Sequence, residues 1–295
     1  MEIGVNGPLL IIGGAEDKDG DLKILTRFVE LSGGKNARIG VATAATKKPE
    51  EAATVYADIF RKLGVESVEP LLLKGRESAL DEKTLSALAT LTGIFFTGGD
   101  QLRISSIISG TPFEDLLIKC NRDGLVIGGT SAGASMMSSH MIVGGSNDDT
   151  AKKSIVSLSP GLGFIRGVVI DQHFAQRGRV GRLLSVIAQN PATLGIGIDE
   201  DTAIEVTAKG IFSVVGSQTV TILDGRNMTE GNVSEQTPDE PLTLLNVTLH
   251  ILSSGYSYDL IKREPFQESK SFSHQKFEEK NENAAPKKYK EKGRF

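Results

Sequence analysis

Residues 129–133 read Gly-Thr-Ser-Ala-Gly, the G-x-S-x-G spacing that lifts a serine hydroxyl onto a sharp strand-to-helix turn. The apolar, strand-like run Leu125 to Gly129 precedes it and a short helical stretch follows, which is the context such an elbow needs. Small neighbours let backbone and substrate come close, and the N-terminus of the following helix favours an oxyanion. The plain alternative is a tight glycine-rich turn carrying an incidental serine. A serine hydroxyl is a weak nucleophile until a base takes its proton, so a histidine must stand near Ser131. Of the four histidines, His250 falls inside an apolar strand, His274 in a charged terminal stretch and His140 after the elbow helix. His173 ends the strand-like VVIDQHF and opens a polar turn, and sites in α/β proteins gather at strand ends.

An imidazole that takes a proton needs a carboxylate to orient it. The segment GIGIDEDTAIEV supplies three acids. Read as one continuous strand, it places Glu200 on the apolar side with Ile196, Ile198, Ile204 and Val206, and Asp199 and Asp201 on the other. A carboxylate on the apolar side is costly unless paired, and pairing with His173 would account for Glu200. The alternative is that the strand has ended and all three acids are solvated. Thr97-Gly98-Gly99-Asp100-Gln101 also follows a strand, and its glycine amides, Gly99 above all, could join the amide of Ala132 in an oxyanion hole. Beyond His173, the crowding of Arg177, Arg179 and Arg182 beside Gln176 reads either as a solvated basic turn or as guanidinium forks for a carboxylate-bearing substrate.

The other chemistry-bearing residues are weaker. Gly161-Leu162-Gly163 with Gly167 lacks the G-x-G-x-x-G spacing of a dinucleotide site. Asn147-Asp148-Asp149 could meet a hard cation but reads as a solvated loop. Cys120 falls in the helix ahead of the elbow strand, where packing outweighs reactivity. No metal or cofactor is called for by a serine, a histidine and an acid.

The elements that must position these groups follow from periodicity. Strand-like runs at Pro8 to Gly14, Arg38 to Thr43, Val68 to Leu73, Gly93 to Thr97 and Leu125 to Gly129 alternate with helical stretches at Leu22 to Leu31, Glu50 to Leu63 and Leu80 to Leu91. This is the pattern of an α/β protein with a mostly parallel sheet and helices on both faces. Thr111, Pro112 and Glu114 mark a further helix start by N-cap, first-turn proline and capping-box acid, and that helix ends near Asp123 and Gly124. Later, Val168 to Phe174 and Leu194 to Val206 read as strands and Gly181 to Gln189 as a helix. Ile211 to Leu223 and Leu242 to Leu252 read as a meander at the sheet edge. Residues 1–265 read as a single α/β domain, and the charged stretch 266–295, ending KKYKEKGRF, as a mobile tail.

With 39% hydrophobic and 24% charged residues, the 295-residue chain has the composition of a folded globular protein. Its formal net charge of −4, with no Trp, offers neither the positive field nor the stacking platforms that nucleic acid requires. One cysteine excludes an intramolecular disulfide and suits a reducing compartment. The N-terminal stretch lacks a basic n-region and a long h-region, and no run reaches a membrane-spanning length. A cytoplasmic protein with no membrane partner is therefore expected.

Taken together in order, FFTGGDQ at 95–101, GGTSAGA at 128–134, DQHF with its arginines at 171–182 and GIGIDEDTA at 195–203 resemble the cyanophycinases, serine peptidases related to the α-aspartyl dipeptidase (peptidase E) group. The likeness extends to about residue 265. It implies a class I glutamine-amidotransferase-like, flavodoxin-like fold and a homodimer. The implied reaction is exo-cleavage of cyanophycin, the poly-aspartate polymer with arginine on each β-carboxyl, to β-Asp-Arg dipeptides. By motif, Ser131 would be nucleophile, His173 general base and Glu200 orienting acid, with Gln101, Asp171, Gln172, Arg177, Arg179 and Arg182 lining the substrate pocket. An aspartyl dipeptidase acting on short peptides, and an inactive binding homologue of the same fold, remain as alternatives.

Overall fold

Strand Leu9–Ile12 shows in four residues how the chain builds its layers. Leu9 and Ile11 point into one hydrophobic cluster while Leu10 and Ile12 point into another, so a run with no polar residue is buried on both faces, as a central parallel strand must be. In the computed structural model, which describes residues 3–145 and 150–267, this strand pairs in parallel with Val126–Thr130, in register Leu9 to Ile127 through Ile12 to Thr130. Gly93–Phe96, Arg38–Ala42 and Ser67–Leu71 continue the parallel side. On the other side Thr202–Val206, Ile211–Gly216, Tyr256–Asp259 and Glu264–Gln267 add antiparallel strands, making a nine-stranded sheet.

Helices α1 (Lys23–Leu31) and α2 (Pro49–Lys62) cover one face. There Phe28, Tyr56, Phe60 and Phe95 form a contiguous ring cluster with centroids 4.8–6.4 Å apart, a geometry worth about 0.5–1.5 kcal/mol per pair beyond burial. The opposite face takes α3 (Glu82–Leu88), α4 (Gln101–Ile108) and α5 (Pro112–Arg122), through Leu88, Ile104, Ile107, Phe113 and Leu117. Helix α4 leaves little periodic signal in the sequence because it is a two-turn segment cut off by Ser109 and Gly110; its N-cap Asp100, accepting from the Leu102 amide at 2.9 Å, is its one local mark. At α5 the cap is as expected on Thr111, but the Glu114 carboxylate accepts from the Gly110 amide, 2.7 Å, one residue earlier than a capping box requires.

A second, four-stranded sheet carries Val168–Gln172, Leu194–Ile198, Thr219–Asp224 and Thr248–Ser253 in that order. Its first pair is parallel and the others antiparallel. Helix α7 (Val180–Gln189) packs on it through Leu183, Val186 and Ile187 against Val169, Phe174 and Leu223. A short helix, α6 (Ala132–Ser135), follows the elbow.

Two expectations change here. The run Leu194 to Val206 is not one strand: Leu194–Ile198 lies in the small sheet and Thr202–Val206 in the large one, with the turn 199–201 between them. Ile211 to Leu223 breaks in the same way after Gly216, so this part of the chain is no simple edge meander. In both cases the chain changes sheets, and positive φ at Asp201 (48°) and Gly216 (119°) makes the corner. Apolar alternation persists on either side of such a corner, which is why the breaks do not show in the pattern. At the C-terminal end, strand Glu264–Gln267 pairs with Tyr256–Asp259 and so runs two residues past the expected boundary at 265. Residues 268–295, like Asn147-Asp148-Asp149 and His274, lie outside the described residues. Among the described residues no helix is long and apolar enough to cross a membrane.

Candidate active site

Val126–Thr130 delivers Ser131 to the edge of the sheet, and the turn into α6 leaves Ser131 at φ 54°, ψ −109°. A non-glycine residue held there costs of order 1–3 kcal/mol. Its amide is held by the Ile12 carbonyl at 3.1 Å. Two positions beside it admit only glycine, since a methyl on Gly129 or Gly133 would strike neighbouring backbone, while one on Gly98 would lie 3.5 Å from Ser131 Cβ, in ordinary contact. The 97–101 loop therefore runs alongside the serine, with Gly99 at φ 146° packed on the Ala45 carbonyl. Ala132 opens α6, where the first amides have no partner within the helix.

His173 follows the small-sheet strand Val168–Gln172 and also sits at positive φ, 48°, with its amide donating to the Gly13 carbonyl at 2.8 Å. Its Nε2 lies 3.0 Å from Ser131 Oγ and its Nδ1 lies 2.6 Å from Glu200 Oε1. A carboxylate only accepts. The ring proton therefore belongs on Nδ1, and Nε2 is left to accept from the serine hydroxyl. Burial pushes the imidazole below its ordinary pKa; the hydrogen bond to Glu200 opposes this, and the nearby Arg177 and Arg179 reinforce it. The ring is thus neutral near pH 7 and able to take a proton.

Glu200 reaches His173 for a different reason than strand alternation. It stands in the corner between the two sheets, its side chain about one-third exposed at 36%, with its amide donating to Gln176 Oε1 at 3.0 Å. The buried acid is Asp199, 4% exposed. It accepts from the Ala175 amide at 3.0 Å and from the Thr219 amide and hydroxyl at 3.2 and 2.7 Å, tying the turn after His173 to the turn that carries Glu200. A corner in place of a strand rotates Glu200 toward the ring and Asp199 inward. Gln176 and Asp199 were both in view in the sequence without an assigned task.

The arginines divide. Arg177 is exposed. Asp171, Gln172, Arg179 and Arg182 are buried and engage one another. Arg182 grips Asp171 with two nitrogens, and Arg179 meets Asp171 at 3.3 Å, Gln172 Oε1 at 2.6 Å and the Gln172 carbonyl. Arg179 Nε is buried without a hydrogen-bond partner, and burial, partly offset by Asp171, pushes the guanidinium down to about 10. Gln101, first residue of α4, gives its side-chain amide to the Ile142 carbonyl at 2.6 Å. Among the described residues no cluster of three or more His, Cys, Asp or Glu is arranged to hold a metal ion. His250 and His140 lie in other strands, Thr248–Ser253 and His140–Gly144.

A serine at a strand-to-helix elbow, hydrogen-bonded to an imidazole that in turn meets a carboxylate, is the geometry of a serine hydrolase. The chain belongs to Peptidase family S51, which matches residues 9–214. It is 42% identical over 258 residues to a cyanophycinase of Synechococcus elongatus, covering 87% of this chain and 80% of that one. It is also 41% identical to a cyanophycinase of Trichormus variabilis, covering 86% of each, and 39% identical to one of Geminocystis herdmanii, covering 87% of this chain and 95% of the other. In structure it resembles a peptidase from an acI-B1 Actinobacterium, with a TM-score of 0.61 at 20% identity, over 89% of this chain and 97% of that one. At that identity the likeness speaks for the fold, which is α/β and flavodoxin-like.

Proposed function

We propose that this peptidase hydrolyses cyanophycin, releasing β-Asp-Arg dipeptides through an acyl-enzyme. The observation that carries the proposal is the hydrogen-bonded line Ser131 Oγ, His173 Nε2 and Nδ1, Glu200 Oε1 in a chain whose curated relatives include cyanophycinases. In this reading Ser131 attacks an aspartyl main-chain carbonyl while its proton passes to His173 Nε2. The amides of Gly99 and Ala132 take the charge on the carbonyl oxygen. As the C–N bond breaks, His173 gives the proton to the leaving nitrogen, and water, deprotonated by the same ring, then cleaves the ester. Glu200 steadies the imidazolium in both halves.

Gln101, Asp171, Gln172, Arg177, Arg179 and Arg182 serve the substrate. Each cyanophycin side chain ends in a guanidinium and a carboxylate, and the exposed Arg177 is a donor suited to the latter. The Asp171–Arg182 pair holds that network rigid. A homodimer in the cytoplasm is part of the same reading. Incubation with purified cyanophycin and mass analysis of the soluble products tests it. The dipeptide is expected from the parent and none from Ser131→Ala; release from Asp-X dipeptides with intact polymer would point to an aspartyl dipeptidase instead.

A further inference from the structure

Glu16 has no part in the reaction as written, yet it is a carboxylate with a fully buried side chain. Such a group is costly to bury unless it is met by donors. Three surround it: the hydroxyl of Tyr56 on α2 at 2.5 Å, the hydroxyl of Thr130 at 2.5 Å and the ammonium of Lys18 at 3.1 Å. Thr130 is the residue immediately before Ser131. Glu16 also closes the short loop that leaves strand Leu9–Ile12, and the end of that strand with the loop holds the backbone of two members of the line and of the neighbour of the third. The Ile12 carbonyl holds the amide of Ser131 at 3.1 Å, the Gly13 carbonyl the amide of His173 at 2.8 Å, and the Gly14 carbonyl the amide of Asp201, next to Glu200, at 2.9 Å. Gly14, at φ 104°, lies flat on the imidazole, where an added methyl would stand 2.5 Å from Nε2. Three consecutive carbonyls thus set the backbones of Ser131, His173 and Asp201, the residue after Glu200.

We propose that Glu16 is a positioning residue that fixes this loop, and through Thr130 the elbow, so that the hydroxyl, imidazole and carboxylate stay in line. This rests on the reading of Ser131, His173 and Glu200 given above. A carboxylate suits the task because both hydroxyls arrive as donors and each of its oxygens accepts one. An amide would offer one acceptor and one donor, so one hydroxyl would have to turn away.

The test uses the full chain and a small serine-reactive phosphonate, which reports the line itself and makes no demand on the arginine network. Second-order labelling rates are measured well below the melting temperature for the parent, Ser131→Ala, Glu16→Gln, Thr130→Val and the double variant. Labelling slowed tenfold or more in both single variants is expected, with the double no slower than the slower single, because both changes cut the same connection. A role confined to packing α2 on the sheet would lower the melting temperature and leave labelling within tenfold of the parent; that result, or losses that multiply in the double variant, overturns the proposal. If Glu16→Gln does not fold, the near-isosteric Thr130→Val decides by the same tenfold mark. A parent that takes no label overturns the triad reading, and this inference with it; a labelled parent with unaffected variants overturns the inference alone.

Discussion

Ser131 and His173 both hold positive-φ backbone conformations, and neither gains from them locally. Such strain persists only where surrounding structure over-determines it, and here it aims the hydroxyl and the ring at each other. The imidazole is tuned by opposed effects: burial and two arginines favour the neutral ring, and Glu200 favours the charged one. The rate of Ser131 labelling should therefore fall as pH drops through a midpoint below that of free histidine. Glu200→Gln removes the one influence that raises the midpoint, so the midpoint should move to lower pH. The plateau should drop by about ten-thousand-fold, as loss of tautomer control does in a comparable triad. A pH–rate profile of both proteins checks direction and size together; a midpoint that moved upward would contradict the assignment of Glu200 as the partner of Nδ1.

At the scale of elements, the helices that frame the site can be separated from the chemistry. Thr111 caps α5 through the Glu114 amide, on a helix whose buried side chains face the core and not the serine. Thr111→Ala should lower stability by about 1 kcal/mol, read as a shift in the denaturant midpoint, with the labelling rate of Ser131 unchanged. How far the elements could be read beforehand follows the same physics. The parallel strands and α1, α2, α3, α5 and α7 announce themselves through period and caps, and the G-x-S-x-G string sits where a strand hands over to a helix. The corner at 199–201 does not announce itself, since alternation on both sides of it looks continuous, and the contact of Glu200 with His173 comes from that corner and not from the strand alternation that singles Glu200 out in the sequence. Glu16 escaped altogether: a lone acid after Gly-Gly-Ala is an ordinary turn residue until Tyr56 and Thr130 arrive from elsewhere in the chain.

Across the whole molecule, the nine-stranded sheet carries Ser131 and the four-stranded sheet carries His173, with Glu200 in the corner that joins them. The hydrogen-bonded line from hydroxyl to ring therefore crosses the junction of two sheets, each with its own ladder of backbone hydrogen bonds. Warming that lets one slide against the other by as little as an ångström breaks the path while leaving both ladders whole. Heat inactivation of labelling should accordingly set in several degrees before the loss of circular dichroism, and should reverse on cooling within that interval. That junction makes turnover a more sensitive thermometer of this protein than its secondary structure.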